Sequence, residues 1–263
     1  MKVDALIFDL DGTLADTEEG HRLAFNLAFE RYRLGWTWSA DEYRGLLKTT
    51  GGKERLGAYI TQLPVSEVER SRLLAQVPGI HAEKTKFYSS VVNDGAIPLR
   101  HGVARLIEEA RAAGCRLALA SATTAVNVDA LLISNLGKRG PDLFSVVACG
   151  DQVAHKKPAP DIYQLALRRL DLPSSRAVAF EDSANGLSAA VAAGFWTVVT
   201  PTYWTEDSDF SAAGLVLPGL GDPAHPLEGE PGRALRSAPW LTFNELLERA
   251  GETKPSLANQ ALH

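Results

Sequence analysis

Two aspartates one leucine apart, Asp9 and Asp11, stand where the apolar run Ala5-Leu6-Ile7-Phe8 gives way to a Gly12-Thr13 turn. An apolar run of this length bounded by glycine predicts a strand buried on both faces. Yet it ends in acids that are costly to bury without positive compensation. Carboxylates in that position can act as a nucleophile and an acid/base, or can hold a divalent cation. Polar groups follow apolar runs in three further places: Ser121-Ala122-Thr123, Lys156-Lys157-Pro158 and Glu181-Asp182-Ser183. Taken singly, each has an ordinary explanation as a turn, a helix cap or a solvated loop.

The elements that must position these groups follow from hydrophobic periodicity. Glu18 to Leu34 carries Leu23, Ala24, Leu27, Ala28 and Tyr32 at helical spacing, and further helical patterns cover Asp41 to Leu47, Glu54 to Leu63, Ser66 to Val77 and His81 to Val92. Beyond Pro98 the rhythm changes. Helices over Val103 to Ala113, Ala125 to Leu136, Pro160 to Leu170 and Ser183 to Ala193 alternate with strands over Cys115 to Ser121, Val146 to Cys149, Ala177 to Phe180 and Trp196 to Thr200. Such alternation predicts a doubly wound, Rossmann-like α/β fold with a parallel sheet, joined by the opening strand. The expected core spans residues 1–15 and 93–263, with an α-helical cap, 16–92, inserted after the first strand. Leu14 to Thr17 and Val92 to Ile97 are the expected hinges. Later, Gly214 to Leu220 reads as an added edge strand, Gly221 to Arg233 as a Pro- and Gly-rich loop and Trp240 to Ala250 as a terminal helix, and the last dozen residues are expected to fray.

In such sheets ligands lie beyond the carboxyl ends of the strands, near the point where strand order reverses. The four polar stretches then converge on one crevice. Clustered carboxylates repel and call for a divalent cation, and all-oxygen ligation suits Mg2+. Asp9 is placed to act as nucleophile and Asp11 as acid and base, while Ser121, the amides around it and Lys157 can bind an oxyanion.

These residues carry a resemblance to the haloacid dehalogenase superfamily of phosphohydrolases. Asp9-Leu10-Asp11-Gly12-Thr13-Leu14 resembles its first motif, Ser121 its second, Lys157 with Pro158-Ala159-Pro160-Asp161 its third, and Glu181-Asp182 its fourth. The resemblance implies a two-step phosphoryl transfer through an aspartyl-phosphate on Asp9. Asp11 would protonate the leaving alkoxide and then deprotonate water. Mg2+ would be held by the Asp9 carboxylate, the Asp11 backbone carbonyl and Asp182, with Glu181 a ligand or a partner of bound water. Lys157 would neutralise the nucleophile and the phosphoryl group.

Specificity falls to the cap, where three stretches stand out: Asp16 to His21, Arg44 to Arg55, and Lys84 to Tyr88. The middle one pairs the Gly51-Gly52 turn with Lys53, Glu54 and Arg55 at a helix start, chemistry suited to a second phosphate. Leu47 stands where a nucleotide-binding P-loop needs its first glycine, which argues against triphosphate binding. Thr13 to Arg22, Thr49 to Arg55 and Gly150 to Tyr163 resemble the CbbY-type phosphatases, which hydrolyse xylulose 1,5-bisphosphate, a misfire product of Rubisco in the Calvin cycle. On that resemblance Asp16, Thr50, Gly51, Gly52, Lys53, Glu54, Arg55 and Lys84 contact the sugar or its distal phosphate, and Ala122 and Thr123 line the site beside Ser121. The competing reading is a β-phosphoglucomutase-like mutase, whose Asp-Thr and His resemble Asp16-Thr17 and His21. Thr13 and the Gly-Gly-Lys-Glu-Arg turn point away from it. A non-catalytic phosphate-binding or interaction domain is disfavoured because every catalytic position is filled.

Composition sets the outer bounds. At 263 residues and 45% hydrophobic, the chain can build proper cores without staples. Its 27 basic residues are spread among 32 acidic ones, for a net charge of −5, so no general nucleic-acid or membrane surface is marked. Cys115 and Cys149 each sit in an apolar run, as small buried hydrophobes do. The first strand begins so near Met1 that no signal or transit peptide is expected, and no apolar run approaches the ~18 residues of a membrane span. The expectation is a soluble, cytoplasmic monomer acting on a small phosphorylated sugar.

Overall fold

The protein is described by a computed structural model over residues 2–252. The expected fraying of the last dozen residues lies outside the described residues. Strand β1 (Ala5–Phe8) is followed by four helices, α1 (Glu18–Arg31), α2 (Ala40–Leu46), α3 (Gly52–Gln62) and α4 (Glu67–Asn93). The alternating series then runs α5 (Val103–Ala112), β2 (Arg116–Ser121), α6 (Ala125–Leu136), β3 (Val146–Cys149), α7 (Asp161–Leu170), β4 (Ala177–Glu181), α8 (Ala184–Ala192) and β5 (Trp196–Val199). It closes with β6 (Leu215–Val216), α9 (Gly229–Arg233) and α10 (Phe243–Glu252).

All six strands pair in parallel, in the order β3-β2-β1-β4-β5-β6. Alternate side chains of each strand feed opposite layers, as the pleat requires. Leu6 and Phe8 join Leu117, Leu119, Val178 and Phe180 on one face, under α5, α6 and α10. Ala5 and Ile7 join Ala118, Ala120, Ala177 and Ala179 on the other, where the small residues let α7 and α8 pack close. The sheet's order reverses between β1 and β4, so Asp9 and Glu181 leave neighbouring strands at the switch point.

Helices α1 to α4 share their own apolar cluster, built on Phe25, Phe29, Trp38, Tyr43, Leu56 and Ile60. One helix stands here where two were expected: α4 runs unbroken through Pro78. An interior proline costs about 3 kcal/mol. Leu73, Val77, Ile80 and Tyr88, at helical spacing, bury against α1 and α3, and each such burial is worth about 1.5–3 kcal/mol, so packing outweighs the break.

Three further differences have local causes. The Gly-Gly stretch is not a turn between helices: Gly51, at φ 95°, caps α3, and Gly52 already begins it, which places Lys53, Glu54 and Arg55 in its first turn. The expected edge strand is only two residues long. The Pro- and Gly-rich segment contains the short α9, and beyond it Leu235, Leu241, Phe243 and Leu246 join the main core. Arg105 holds this segment by donating to the Gly221 and Leu241 carbonyls, and the Glu109 carboxylate accepts from Phe243 N at 2.8 Å.

Several contacts tie the second half of the chain to helices α1–α4. Trp204 packs into the α1–α4 cluster, edge-on to Tyr43, and Arg44 pairs with Asp207 at 2.7 Å. Asn185 donates to the Lys48 carbonyl and to Thr50 Oγ1, both at 2.9 Å. Among the described residues no helix is long and apolar enough to cross a membrane. Cys115 and Cys149 are buried free thiols, and burial pushes them up to about 12 and about 11.

Candidate active site

Lys157 stands at the centre of the strand ends. Its Nζ lies 2.6 Å from Asp9 Oδ1 and 2.7 Å from Glu181 Oε1, and Tyr163 OH donates to the same Glu181 oxygen. All four side chains are buried. Burial pushes the Asp9 carboxyl up to about 8 against the pull of Lys157, with Glu181 and Asp11 adding to the rise. Asp182 is raised as well, first by burial and then by Asp9 and Glu181. Burial alone would lower Lys157, but Asp9 and Glu181 overcome it and hold the ammonium charged.

One lysine cannot balance this cluster. Asp9, Glu181 and Asp182 each offer a carboxylate oxygen, all within 4.8 Å of one another, and Glu181 Oε2 is buried without a hydrogen-bond partner. The Gly12 backbone, at φ 85°, closes against them so tightly that a Cβ there would lie 2.2 Å from Asp182 Oδ2. A hard, oxygen-only donor set with surplus negative charge fits Mg2+.

Asp11 points toward α1 and α4. Its Oδ1 accepts from Thr17 Oγ1 at 2.6 Å and lies 2.9 Å from His21 Nε2, while His21 Nδ1 lies 2.7 Å from Lys84 Nζ. These partners select the tautomer: the lysine donates to Nδ1, and Nε2–H donates to Asp11. Burial, then Lys84, lowers His21 and favours its neutral form. Burial likewise lowers Lys84, to about 8, against the pull of Asp11 and Glu18. Burial would raise Asp11, yet His21 and Thr17 bring it down to about 2. His21 also stacks on Tyr88, 3.9 Å between ring centroids.

Between these groups and the cap lies a cavity of about 430 Å3, of the size that takes small molecules. Asp9, Asp11, Lys157, Asp182, His21, Lys84, Ala122, Thr123 and the run Thr50-Gly51-Gly52-Lys53-Glu54-Arg55 all line it. Three expected site residues do not. Ser121 is fully buried behind the wall, its Oγ accepting from Thr123 N at 3.2 Å. Glu181 lies beneath the floor, and Asp16 is exposed outside the cavity. Arg55 is buried and donates to Tyr43 OH, which in turn donates to Glu18, so its charge reaches the cavity within a network.

Glu18 and Lys156, named in the sequence only as members of wider stretches, also line the cavity, as do His81, Asn185 and Thr205, which sequence reasoning missed. Lys156 was signalled by its neighbour Lys157. Asn185, three residues past the fourth acidic pair and in the first turn of α8, could have been found from its place at that strand end. His81 carries no local signal. It is pushed down to about 3, first by burial and then by Lys84, Lys53, His21 and Lys156. Positive charge from Lys84, Lys53 and Lys156 therefore surrounds His81.

The family model of the haloacid dehalogenase-like hydrolases matches residues 3–194. Protein CbbY of Rhodobacter capsulatus is 48% identical over 84% of this chain and 95% of its own length. A phosphatase of phosphorylated carbohydrates from Thermotoga maritima is 33% identical over 73% of this chain and 82% of its own. A mutant of CbbY from Rhodobacter sphaeroides, crystallised in complex with xylulose 1,5-bisphosphate, superposes with a TM-score of 0.77 at 44% identity, over 84% of this chain and 98% of the other. With the acidic cluster, its lysine and the parallel sheet all in place, the chain belongs to the haloacid dehalogenase-like hydrolase family, on its CbbY branch, and is a phosphatase-type enzyme.

Proposed function

We propose that the enzyme removes one phosphate from a sugar bisphosphate with Mg2+ bound, converting xylulose 1,5-bisphosphate to xylulose 5-phosphate. The observation that carries this reading is the division of charge in the cavity. Its floor holds a nucleophile-and-metal cluster, and its opposite wall gathers Lys53, Lys84 and Arg55, with Lys156 facing them from the core, around His81, which burial, Lys84, Lys53 and Lys156 keep neutral. A substrate anionic at both ends matches both poles, and Glu18, Glu54, Thr50 and Asn185 between them suit sugar hydroxyls. The CbbY complex with xylulose 1,5-bisphosphate supports the same substrate.

In the first step an Asp9 oxygen attacks phosphorus in line, the bond to the ester oxygen breaks, and Asp11 gives its proton to the departing alkoxide. Asp11 must be protonated for this, which burial favours once it leaves Thr17 and His21. In the second step Asp11, ionised as it stands here, takes a proton from water. The water oxygen bonds to phosphorus and Asp9 is released. Asp9, Asp182 and the Asp11 carbonyl, with Glu181 beneath, would hold Mg2+, which would supply positive charge against the phosphoryl oxygens. Lys157 neutralises Asp9 so that one anion can approach another. Thr123 and the amides after β2 hold phosphoryl oxygens, with Ser121 fixing that loop from behind. Residues 16–92 act as the specificity cap, hinged at Leu14 to Thr17 and at 92–97.

Phosphate release with Mg2+, screened over sugar mono- and bisphosphates, tests this. The expected best substrate is the 1,5-bisphosphate, with no isomerised hexose formed. Conversion of β-glucose 1-phosphate to the 6-phosphate, dependent on a bisphosphate primer, would overturn it. Lys53 sharpens the test, because it is exposed to the cavity and forms no ion pair among the described residues. Lys53→Ala is expected to lower kcat/KM for the bisphosphate by about tenfold, the worth of one charged phosphate contact. Hydrolysis of a small phosphate ester should barely change. Equal losses on both substrates would move the distal phosphate elsewhere.

A further inference from the structure

Far along the chain from the catalytic cluster, His101, Asp222 and His225 come together where the C-terminal segment meets the start of α5. Each offers one donor atom, and the three atoms lie within 4.8 Å of one another. The two imidazoles stack face to face, 3.5 Å between centroids and 17° between planes, with both residues exposed. From these residues we infer a second metal site, for a borderline transition ion of the Zn2+ class, that fastens residues 221–225 to the loop at 99–102.

Two imidazoles and one carboxylate make a donor set for Zn2+, Co2+ or Ni2+ rather than for Mg2+, which prefers oxygen alone. The supporting contacts are already made. Asp222 Oδ1 accepts from the backbone of Ala224 at 2.9 Å and of His225 at 2.8 Å, and Asp222 Oδ2 accepts from Gly102 N at 3.1 Å. His225 Nδ1 lies 3.1 Å from Asp222 Oδ1. With Nδ1 unprotonated, Nδ1 and the Asp222 carboxylate face one another as neighbouring ligands of one ion do, so both can serve the same metal. Stacked rings cannot both aim a lone pair at one ion, so binding requires them to swing apart. Their exposure leaves that rotation unopposed by packing.

The position gives the site a consequence. Gly102 lies directly on the Gly221 backbone, where a Cβ would come within 2.1 Å of the carbonyl oxygen. The preceding residue but one, Arg100, donates from its backbone to Leu14 O at 2.8 Å and from its guanidinium to the carbonyls of Gly12 and Thr200. An ion shared by His101 and His225 would therefore brace the loop that leaves the nucleophile strand.

The test uses the tag-free full-length protein, stripped with EDTA, kept in excess Mg2+ to fill the acidic cluster, and titrated with Co2+. One bound ion per chain is expected, with the visible absorption of a nitrogen-ligated, low-coordinate cobalt that Zn2+ abolishes. His101→Gln and His225→Gln should each weaken it at least about tenfold, while Asp182→Asn should leave it intact. Zn2+ should also slow amide exchange over 220–226 in the unmodified protein and not in His101→Gln. Cobalt binding unchanged in the double histidine variant, binding lost in Asp182→Asn, or no absorption at all would overturn the site.

Discussion

Asparagine at position 9 is expected to abolish turnover and to leave the folded protein as stable as before, or more so. Asn keeps the volume and one oxygen of Asp9 but cannot displace an alkoxide from phosphorus, so phosphate release should fall on the order of 10^5-fold. The stability half of the expectation follows from the crowding. Burial, Glu181 and Asp11 raise the Asp9 carboxyl to about 8, far above an unfolded aspartate at about 3.9. A group raised in this way contributes stability fully present below the unfolded value and lost as pH rises toward the folded one. At neutral pH in EDTA the parent chain carries that loss and Asp9→Asn does not, while Lys157 keeps Glu181 as its partner. Thermal unfolding in EDTA at pH 7.5 should show a midpoint equal to or above the parent's. Retained phosphate release would refute Asp9 as nucleophile, and a much lower midpoint would mean that the carboxylate holds the floor together.

The same crowding explains why so much of the site was legible. Asp9, Asp11, Glu181 and Asp182 are all set by strand ends, and the ends of parallel strands are readable because each is an apolar run that stops abruptly; Lys157, eight residues past the end of β3, is readable from the Lys-Lys-Pro stretch instead. Once the sheet is assumed, a polar residue just past such a run has one place to point. Ser121 shows the limit of that rule. It is the last residue of β2 itself, so its pleat direction and the bond from Thr123 turn it behind the wall rather than into the cavity. Asp16 shows another: Thr17, its neighbour, takes the inward position and bonds Asp11.

Helical residues were harder to place, since which side of a helix faces a cavity is fixed by packing against distant parts of the chain. His81 and Glu18 reach the cavity from the α1–α4 cluster. That cluster is closed partly by Trp204, a residue from beyond the fifth strand whose surrounding sequence gave no helical or strand pattern. The continuity of α4 through Pro78 was hidden for the same reason. The local cost of proline is visible in the sequence, and the burial of Tyr88 and Ile80 that outweighs it is not.

Replacing Lys157 with Met should damage both activity and stability, and pH should separate the two effects. Methionine fills most of the lysine's volume, so the change removes a charge rather than a packing element. What it leaves is Asp9, Glu181 and Asp182 buried together without a cation. Unpairing a buried ion in this way costs about 3–5 kcal/mol, and loss of the charge that lets Asp9 approach a phosphate should cost turnover on the order of 10^3-fold. Lys157 is also the group that holds the Asp9 value down against burial, so in the variant that value rises above about 8. In the parent the penalty from Asp9 stops growing once pH passes its folded value, because both folded and unfolded chains are then ionised. In the variant it continues to grow, because the folded chain still holds the proton that the unfolded chain has released. In EDTA, the gap in unfolding free energy between Lys157→Met and the parent should therefore be wider at pH 9 than at pH 7. Mg2+ should narrow it at either pH by returning positive charge to the same carboxylates. A gap indifferent to both pH and Mg2+ would mean that Lys157 supports the floor through its shape alone, and the charge balance proposed for the nucleophile would fail with it.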